Sequence, residues 1–233
     1  ALSIGAVFWV YGRDLPSHES LAQYQPKTIS RIYSSEGKII DEFAVERRLF
    51  APADEIPDLV KEAFISAEDK NFYTHEGYDL RGIGAAAVDA VRTRGKDVRG
   101  ASTITQQVAK NLLIGDEYSP TRKVKEMILA WRMENVLSKQ QILELYLNQI
   151  FLGRNAYGVQ AAARAYFDKD VGDLDLHEMA FLSILPKAPE RYGRSKYQEL
   201  AITRRNYVLD KMAENGWASE ADVAAAKAKP LAF

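Results

Sequence analysis

From residue 58 onward, apolar side chains recur almost throughout at the spacing of an α-helix. The first helical stretch carries five of them on one face, namely Leu59, Val60, Ala63, Phe64 and Ala67. Residues 28–50 have a different pattern, in which two short apolar runs flank a glycine-containing turn at residues 34–37, and this predicts a β-hairpin. The chain is therefore restricted to a mainly helical fold with one small sheet.

Composition excludes several classes of protein. With 233 residues, of which 47% are hydrophobic and 27% charged, the chain can form one large domain or two lobes with a real core. A net charge of −1 gives no overall attraction to nucleic acid, so none is expected as a partner. The absence of cysteine excludes disulfides, thiolate zinc sites and a cysteine nucleophile.

The first residues form an apolar run that ends at Arg13. Because a membrane-spanning helix needs about 20 residues, the run is too short to cross a bilayer by itself. We interpret residues 1–13 as the end of a transmembrane anchor, since Trp9 and Tyr11 beside Arg13 suit a membrane interface. A short buried helix is equally compatible with the run. Residues 14–57 are then a linker with the hairpin, and residues 58–233 form the main domain.

Glu68 is the candidate general base. It follows Phe64 by four residues and Val60 by eight, which places its carboxyl on the apolar side of the first helix. Burial there would raise its pKa and let it accept a proton near neutral pH. The alternative is that Glu68 and Asp69 end the helix in solvent.

A polar row and a basic connector follow. The connector at residues 92–100 has charge and glycine but no apolar period, so we predict that it is mobile. Capping-box spacing between Thr103 and Gln106 then predicts the start of a helix. One side of this helix carries polar residues that could bind a sugar or phosphate, or face water: Thr103, Gln107 and Asn111, with Lys110 one turn after Gln107.

The next helix has cations in its first turn. Ser119 is the predicted N-cap and Pro120 the first helical residue. Arg122 and Lys123 oppose the helix dipole there unless an anion binds, which suggests a pyrophosphate site. Glu126 lies four residues after Arg122, close enough to pair with it or with Lys123. A surface ion-pair cluster fits these residues equally well. The remaining sequence reads as scaffold.

Five motifs in order resemble those of the family 51 glycosyltransferases, the peptidoglycan polymerases. They are EDKNFYTHEG, GASTITQQVAKN, RKVKE, ILELYLN and AYGVQAAARAYF. The flanking stretches RIYSSEGKIIDEF, LPKAPERY and RRNYVLDKM extend the resemblance over nearly the whole chain, towards the bifunctional class A penicillin-binding proteins. Asp168 stands where the family often has glycine, and Arg194 where a proline is frequent.

The resemblance implies a fold, a location and partners. The fold is a mainly α, lysozyme-like domain of two lobes with a small N-terminal β-hairpin, cut before a transpeptidase domain. The domain is anchored to the outer, periplasmic face of the cytoplasmic membrane. Its substrates are lipid II and the nascent glycan strand, and further cell-wall synthesis proteins are its expected partners. No cofactor is required, and a Mg²⁺ or Mn²⁺ bridging Glu126 and pyrophosphate is left open.

The resemblance also assigns roles residue by residue. Glu68 matches the general base that deprotonates the 4-hydroxyl of the acceptor GlcNAc, whose oxygen attacks the anomeric carbon of the donor MurNAc. Undecaprenyl pyrophosphate then leaves with inversion. Glu126 matches the second essential carboxylate. Three cations match those around the pyrophosphate, namely Lys110, Arg122 and Lys123, and six residues match further parts of the cleft: Asp69, Phe72, His75, Thr103, Gln107 and Asn111.

Two other functions are compatible with the same residues. A lysozyme-like lytic transglycosylase also uses a buried glutamate, but cleavage needs no pyrophosphate site. A non-catalytic, membrane-tethered scaffold would leave Glu68 and Glu126 replaceable. A metal site at His75 is the least supported alternative, because His18 and His177 have no ligand pattern near them.

Overall fold

The computed structural model describes residue 6 and residues 9–23, 30–33, 39–43, 47–79, 102–112 and 120–232. The predicted mobile connector at 92–100 and the predicted N-cap Ser119 lie outside the described residues. The chain divides into two compact units. Unit 1 comprises Ala1–Gln25 and Glu68–Tyr146, and unit 2 comprises Pro26–Ala67 and Leu147–Phe233. The predicted limits of the anchor, the linker and the main domain stay predictions.

The described residues are mostly helical, which confirms the predicted class. The α-helices, numbered here in chain order, are α1 His18–Ala22, α2 Asp58–Glu68, α3 Ile104–Leu112, α4 Pro120–Val136, α5 Lys139–Gln149, α6 Val159–Phe167, α7 Leu176–Ile184, α8 Pro189–Tyr192, α9 Gln198–Glu214 and α10 Glu220–Ala228. Short 3-10 turns occupy Val171–Asp173, Leu185–Lys187 and Ser195–Tyr197.

The strands form two small sheets. Strand β1, Ser30–Tyr33, pairs antiparallel with β2, Ile39–Phe43, with Ser30 opposite Phe43. This pairing confirms the predicted hairpin. Strand β3, Arg47–Arg48, pairs in parallel with β4, Ala156–Tyr157, a contact between distant parts of the sequence that the local pattern did not indicate.

Unit 1 is organised around α4, which packs against α1 and α3. Arg132 on α4 donates hydrogen bonds to the carbonyl oxygens of Gly12 at 2.8 Å and Pro16 at 3.2 Å, and so fixes the segment before α1. Gly77 has φ +89° and packs so closely on α4 that a Cβ would lie 2.9 Å from the carbonyl oxygen of Ala130. Only glycine suits that position, because it combines positive φ with close backbone approach.

Unit 2 has its core around α7, which packs against α9 and α10. Predicted core residues of α7 such as Phe181 and Leu182 are fully buried, and so is the small-residue face of α6 at Ala162 and Ala163. Helix α6 ends at Asp168, whose backbone is left-handed with φ 54°. Glycine is the usual residue at such a helix end, because it adopts a left-handed backbone without a steric cost from Cβ.

None of the helices in the described part of the chain combines the length and apolar character needed to cross a membrane. Residues 9–12 are helical, and Trp9 is 70% exposed. The proposed end of an anchor at residues 1–13 remains a prediction.

Asn148, the last residue of the ILELYLN motif, provides a test of the packing in unit 2. Its side chain accepts a hydrogen bond from the backbone nitrogen of Ala51 and donates one to the oxygen of Ala51, both at 2.8 Å in a buried setting. We expect Asn148→Ala to destabilise the protein, because each buried group left without a partner costs about 1–3 kcal/mol. Denaturant unfolding measures the loss.

Asn135→Ala is the matched control for Asn148→Ala. The Asn135 amide donates to the Trp131 carbonyl on an exposed helix surface. Its loss should change the free energy of unfolding by no more than about 0.5 kcal/mol. Equal unfolding midpoints for the two variants would contradict the role given to Asn148.

Candidate active site

Glu68 ends α2, as the sequence predicted, and its side chain is half-buried rather than enclosed. Gln107 on α3 donates a hydrogen bond from Nε2 to Glu68 Oε2 at 3.0 Å. Gln107, one member of the predicted polar row, therefore contacts Glu68 instead of facing only solvent. The amide holds one carboxylate oxygen in place, and the raised pKa expected for Glu68 stays a prediction.

Asp69 is buried and holds the start of α3. Its Oδ2 accepts hydrogen bonds from the Ile104 backbone nitrogen at 2.9 Å and lies 2.8 Å from His75 Nε2. His75 Nδ1 accepts from the Gly77 backbone nitrogen at 3.1 Å, so the ring proton lies on Nε2 and is donated to Asp69. Asp69 thus supplies the negative charge that a helix N-terminus favours.

Thr103 also serves the start of α3. It exchanges hydrogen bonds of 3.1 Å with Gln106, which confirms the predicted capping box, and its hydroxyl donates to the Gly77 carbonyl at 2.9 Å. Phe72 is fully buried, with its ring 6.0 Å from that of His75 in an edge-on contact. Four predicted cleft residues are therefore brought together around the loop after Glu68 and the start of α3: Asp69, Phe72, His75 and Thr103.

The cations of α4 gather around Glu126, which confirms the predicted pairing. Arg122 Nε lies 3.4 Å from Glu126 Oε1, and Lys123 Nζ lies 3.1 Å from Oε2. Lys123 also donates to Ser102 Oγ at 2.8 Å, and Arg122 Nη2 contacts the Lys110 carbonyl oxygen at 3.4 Å. Helix α4 begins at Pro120, as predicted.

This cluster has an excess of positive charge. Glu126 is buried, and its single negative charge is opposed by Arg122 and Lys123, while the Lys123 side chain remains 43% exposed. The side chains of Lys110 and Asn111 are exposed on α3. A helix N-terminus with exposed ammonium groups favours a bound anion. A divalent ion on Glu126 would first have to open one of its two ion pairs.

Four residues near this site were not among the sequence candidates: Ser102, Glu134, Lys139 and Tyr146. Tyr146 is buried, and burial raises the pKa of its phenol well above the usual value, with a further contribution from the Glu68 and Asp69 carboxylates. The phenol therefore stays protonated beside the acidic pair.

The sequence does contain an indication for Lys139. A lysine at the first position of α5 opposes the helix dipole, as Arg122 does in α4.

Within the described residues, one further cluster has the donor atoms for a metal, namely Asp175, His177 and Glu178. Lys169 already donates to both Glu178 oxygens, at 2.8 and 2.9 Å, and Lys229 donates to Asp175 at 3.2 Å. These ammonium groups neutralise the carboxylates, so the cluster is accounted for as an ion-pair group at the start of α7.

Comparisons with known proteins identify the family of this chain. The sequence model of the family described as Transglycosylase matches residues 36–213, which is more than half of the chain. Penicillin-binding protein 1A of Rickettsia prowazekii (strain Madrid E) is 46% identical over 227 residues, covering 97% of this chain and 29% of that protein. The same protein of Neisseria flavescens is 48% identical over 202 residues, covering 87% of this chain and 25% of the relative.

A solved structure is also similar. The crystal structure of penicillin-binding protein 1A from Haemophilus influenzae has a TM-score of 0.49 and 27% sequence identity, covering 89% of this chain and 21% of that chain. This chain spans less than a third of the length of the curated relatives that it matches.

Proposed function

We propose that this chain, which belongs to the transglycosylase family, is a peptidoglycan glycosyltransferase. It would polymerise lipid II into glycan strands. The observation that supports the proposal is that unit 1 contains both an oriented carboxylate and a positively charged cluster. One is a carboxylate, Glu68, oriented by Gln107 at 3.0 Å, and the other is the net positive cluster of Arg122 and Lys123 around Glu126. Group transfer from a pyrophosphate needs both a base and an anion site.

The proposed reaction is one inverting displacement. Glu68 accepts the proton of the 4-hydroxyl of the acceptor GlcNAc, and that oxygen forms the new bond to the anomeric carbon of the donor MurNAc. The bond between that carbon and the pyrophosphate oxygen breaks, and undecaprenyl pyrophosphate leaves. Arg122, Lys123 and Lys110 stabilise the charge that develops on the leaving group, which is where preformed donors lower the barrier most.

Glu126 has a supporting role in this proposal. Both of its oxygens contact cations, Arg122 Nε at 3.4 Å and Lys123 Nζ at 3.1 Å. Because Glu126 is buried, it holds the two flexible side chains in place before the substrate arrives. Such preorganisation lets the cations stabilise the developing charge without first rearranging.

We also propose a location and partners for the domain. We place the domain on the outer, periplasmic face of the cytoplasmic membrane, where a lipid-linked substrate and the nascent glycan strand are available. The resemblance to the bifunctional class A penicillin-binding proteins also supports contacts with other cell-wall synthesis proteins.

The alternative functions are tested by offering two substrates in parallel. A transferase should convert lipid II into long strands and leave preformed, uncross-linked glycan unshortened. Shortening of the glycan with lipid II unchanged would favour a lytic transglycosylase. A scaffold would change neither substrate. The anomeric configuration of the new linkage, read by NMR, tests the proposed inversion.

A further inference from the structure

Lys139 lies at the first position of α5, and its ammonium group joins a hydrogen-bond network within unit 1. Its Nζ donates to the His75 carbonyl oxygen at 2.6 Å and to Glu134 Oε1 at 2.8 Å. The Glu134 side chain is only 7% exposed, so its carboxylate is largely removed from water. The Phe72 ring lies 4.7 Å from Nζ and adds a cation–π contact.

One branch of the network runs through His75 to the start of α3. Lys139 holds the His75 backbone oxygen, and the His75 ring donates to Asp69 Oδ2 at 2.8 Å. The same Asp69 oxygen accepts from the Ile104 backbone nitrogen at 2.9 Å. Lys139 is thereby connected to the first residue of α3 and to the residue that follows Glu68.

A second branch reaches α3 through Glu134. Glu134 Oε1 accepts from Lys139 Nζ at 2.8 Å and from Thr105 Oγ1 at 2.6 Å. Thr105 is the second residue of α3, so both branches end on the same helical turn. Two residues further along α3, Gln107 donates to Glu68 Oε2 at 3.0 Å.

We propose that Lys139 is a positioning residue for Glu68, an inference that rests on the proposed glycosyltransferase function. Its ammonium fixes both the loop after Glu68 and the first turn of α3, and so fixes the distance from Gln107 to the carboxylate that it orients. Removing the ammonium leaves the buried Glu134 carboxylate without its cation, and a buried charge that loses its partner drives rearrangement. A misplacement of about 1 Å at a catalytic group can cost about 100-fold in rate.

Lys139→Met tests the proposal in the complete chain with lipid II as substrate. We expect kcat to fall about 10- to 100-fold, while KM for lipid II changes by less than about threefold, because Lys139 acts on Glu68 and not on the bound substrate. Lys139→Arg keeps the charge and several donors and should restore at least about a third of the wild-type kcat. Thr105→Val removes only the second branch and should give an intermediate loss.

Ile142→Val is the control for a purely structural effect, because it trims a fully buried side chain on the same helix without touching the network. It should lower the melting temperature and leave kcat unchanged. The inference is overturned if Lys139→Met and Thr105→Val polymerise at the wild-type rate. It is also overturned if the loss of kcat in every variant, including Ile142→Val, is proportional to the loss of melting temperature. If Lys139→Met does not fold, Thr105→Val and Lys139→Arg decide by the same criteria. Wild-type protein that leaves lipid II unchanged would instead refute the proposed function itself.

Discussion

Glu68→Gln is expected to yield a folded protein that forms no measurable glycan from lipid II. The amide keeps the shape of the carboxyl group and can still contact Gln107, which lies 3.0 Å from Oε2. It cannot take a proton from the acceptor hydroxyl, and general-base catalysis contributes about 100- to 10,000-fold to rates. Initial rates of lipid II consumption, together with the melting temperature, measure the effect.

Glu62→Gln is the matched control for the loss of a carboxylate on α2. Glu62 is half-buried on the same helix, and burial, with Asp58 as a second cause, raises the pKa of its carboxyl. This variant should polymerise at the wild-type rate. A folded Glu68→Gln protein with near-normal product would refute Glu68 as the base.

Arg122→Ala is expected to reduce turnover by about 100- to 1,000-fold, the usual cost of removing one donor to a developing oxyanion. Binding of the donor substrate should weaken much less, because only contacts that strengthen in the transition state lower the barrier. The fold should tolerate the change, since Glu126 retains Lys123 at 3.1 Å. Rate, donor binding and melting temperature are measured on one protein sample.

Arg194→Ala separates this role from that of a surface ion pair. Arg194 Nη2 contacts Glu190 at 2.8 Å with the same four-residue spacing as Arg122 and Glu126, and both partners are exposed. Its removal should cost only about 0.2–1 kcal/mol of stability and no activity. If Arg122→Ala behaves in the same way, its cluster contributes ion pairing only and the glycosidase alternative returns.

Local chemistry explains which elements the sequence could predict. The hairpin was predicted from two short apolar runs that flank a glycine-containing stretch of sequence, and the start of α3 from Thr103 and Gln106, which are three residues apart. The ion pairs of Glu126 with Arg122 and Lys123 follow from helical spacing alone. In each case the interacting groups are close in sequence, so their spacing determines their geometry.

The missed parts of the site depend on contacts between distant residues. Lys139 and His75 are 64 residues apart, and Thr105 and Glu134 are 29 apart. No local period indicates that these side chains meet, or that one ammonium group contacts both the His75 carbonyl and Glu134. Both Arg122 and Lys139 oppose the dipole of their helices. The sequence around Lys139, however, predicts only a core-forming helix.

Incubation of the chain with lipid II tests the proposed polymerisation most directly, with the products sized and the released pyrophosphate lipid counted. We predict long glycan strands, with one undecaprenyl pyrophosphate released for each disaccharide added, and loss of both products in the presence of moenomycin, an inhibitor of the peptidoglycan glycosyltransferases. Unchanged lipid II, or disaccharide released without strand growth, would contradict the proposed polymerisation.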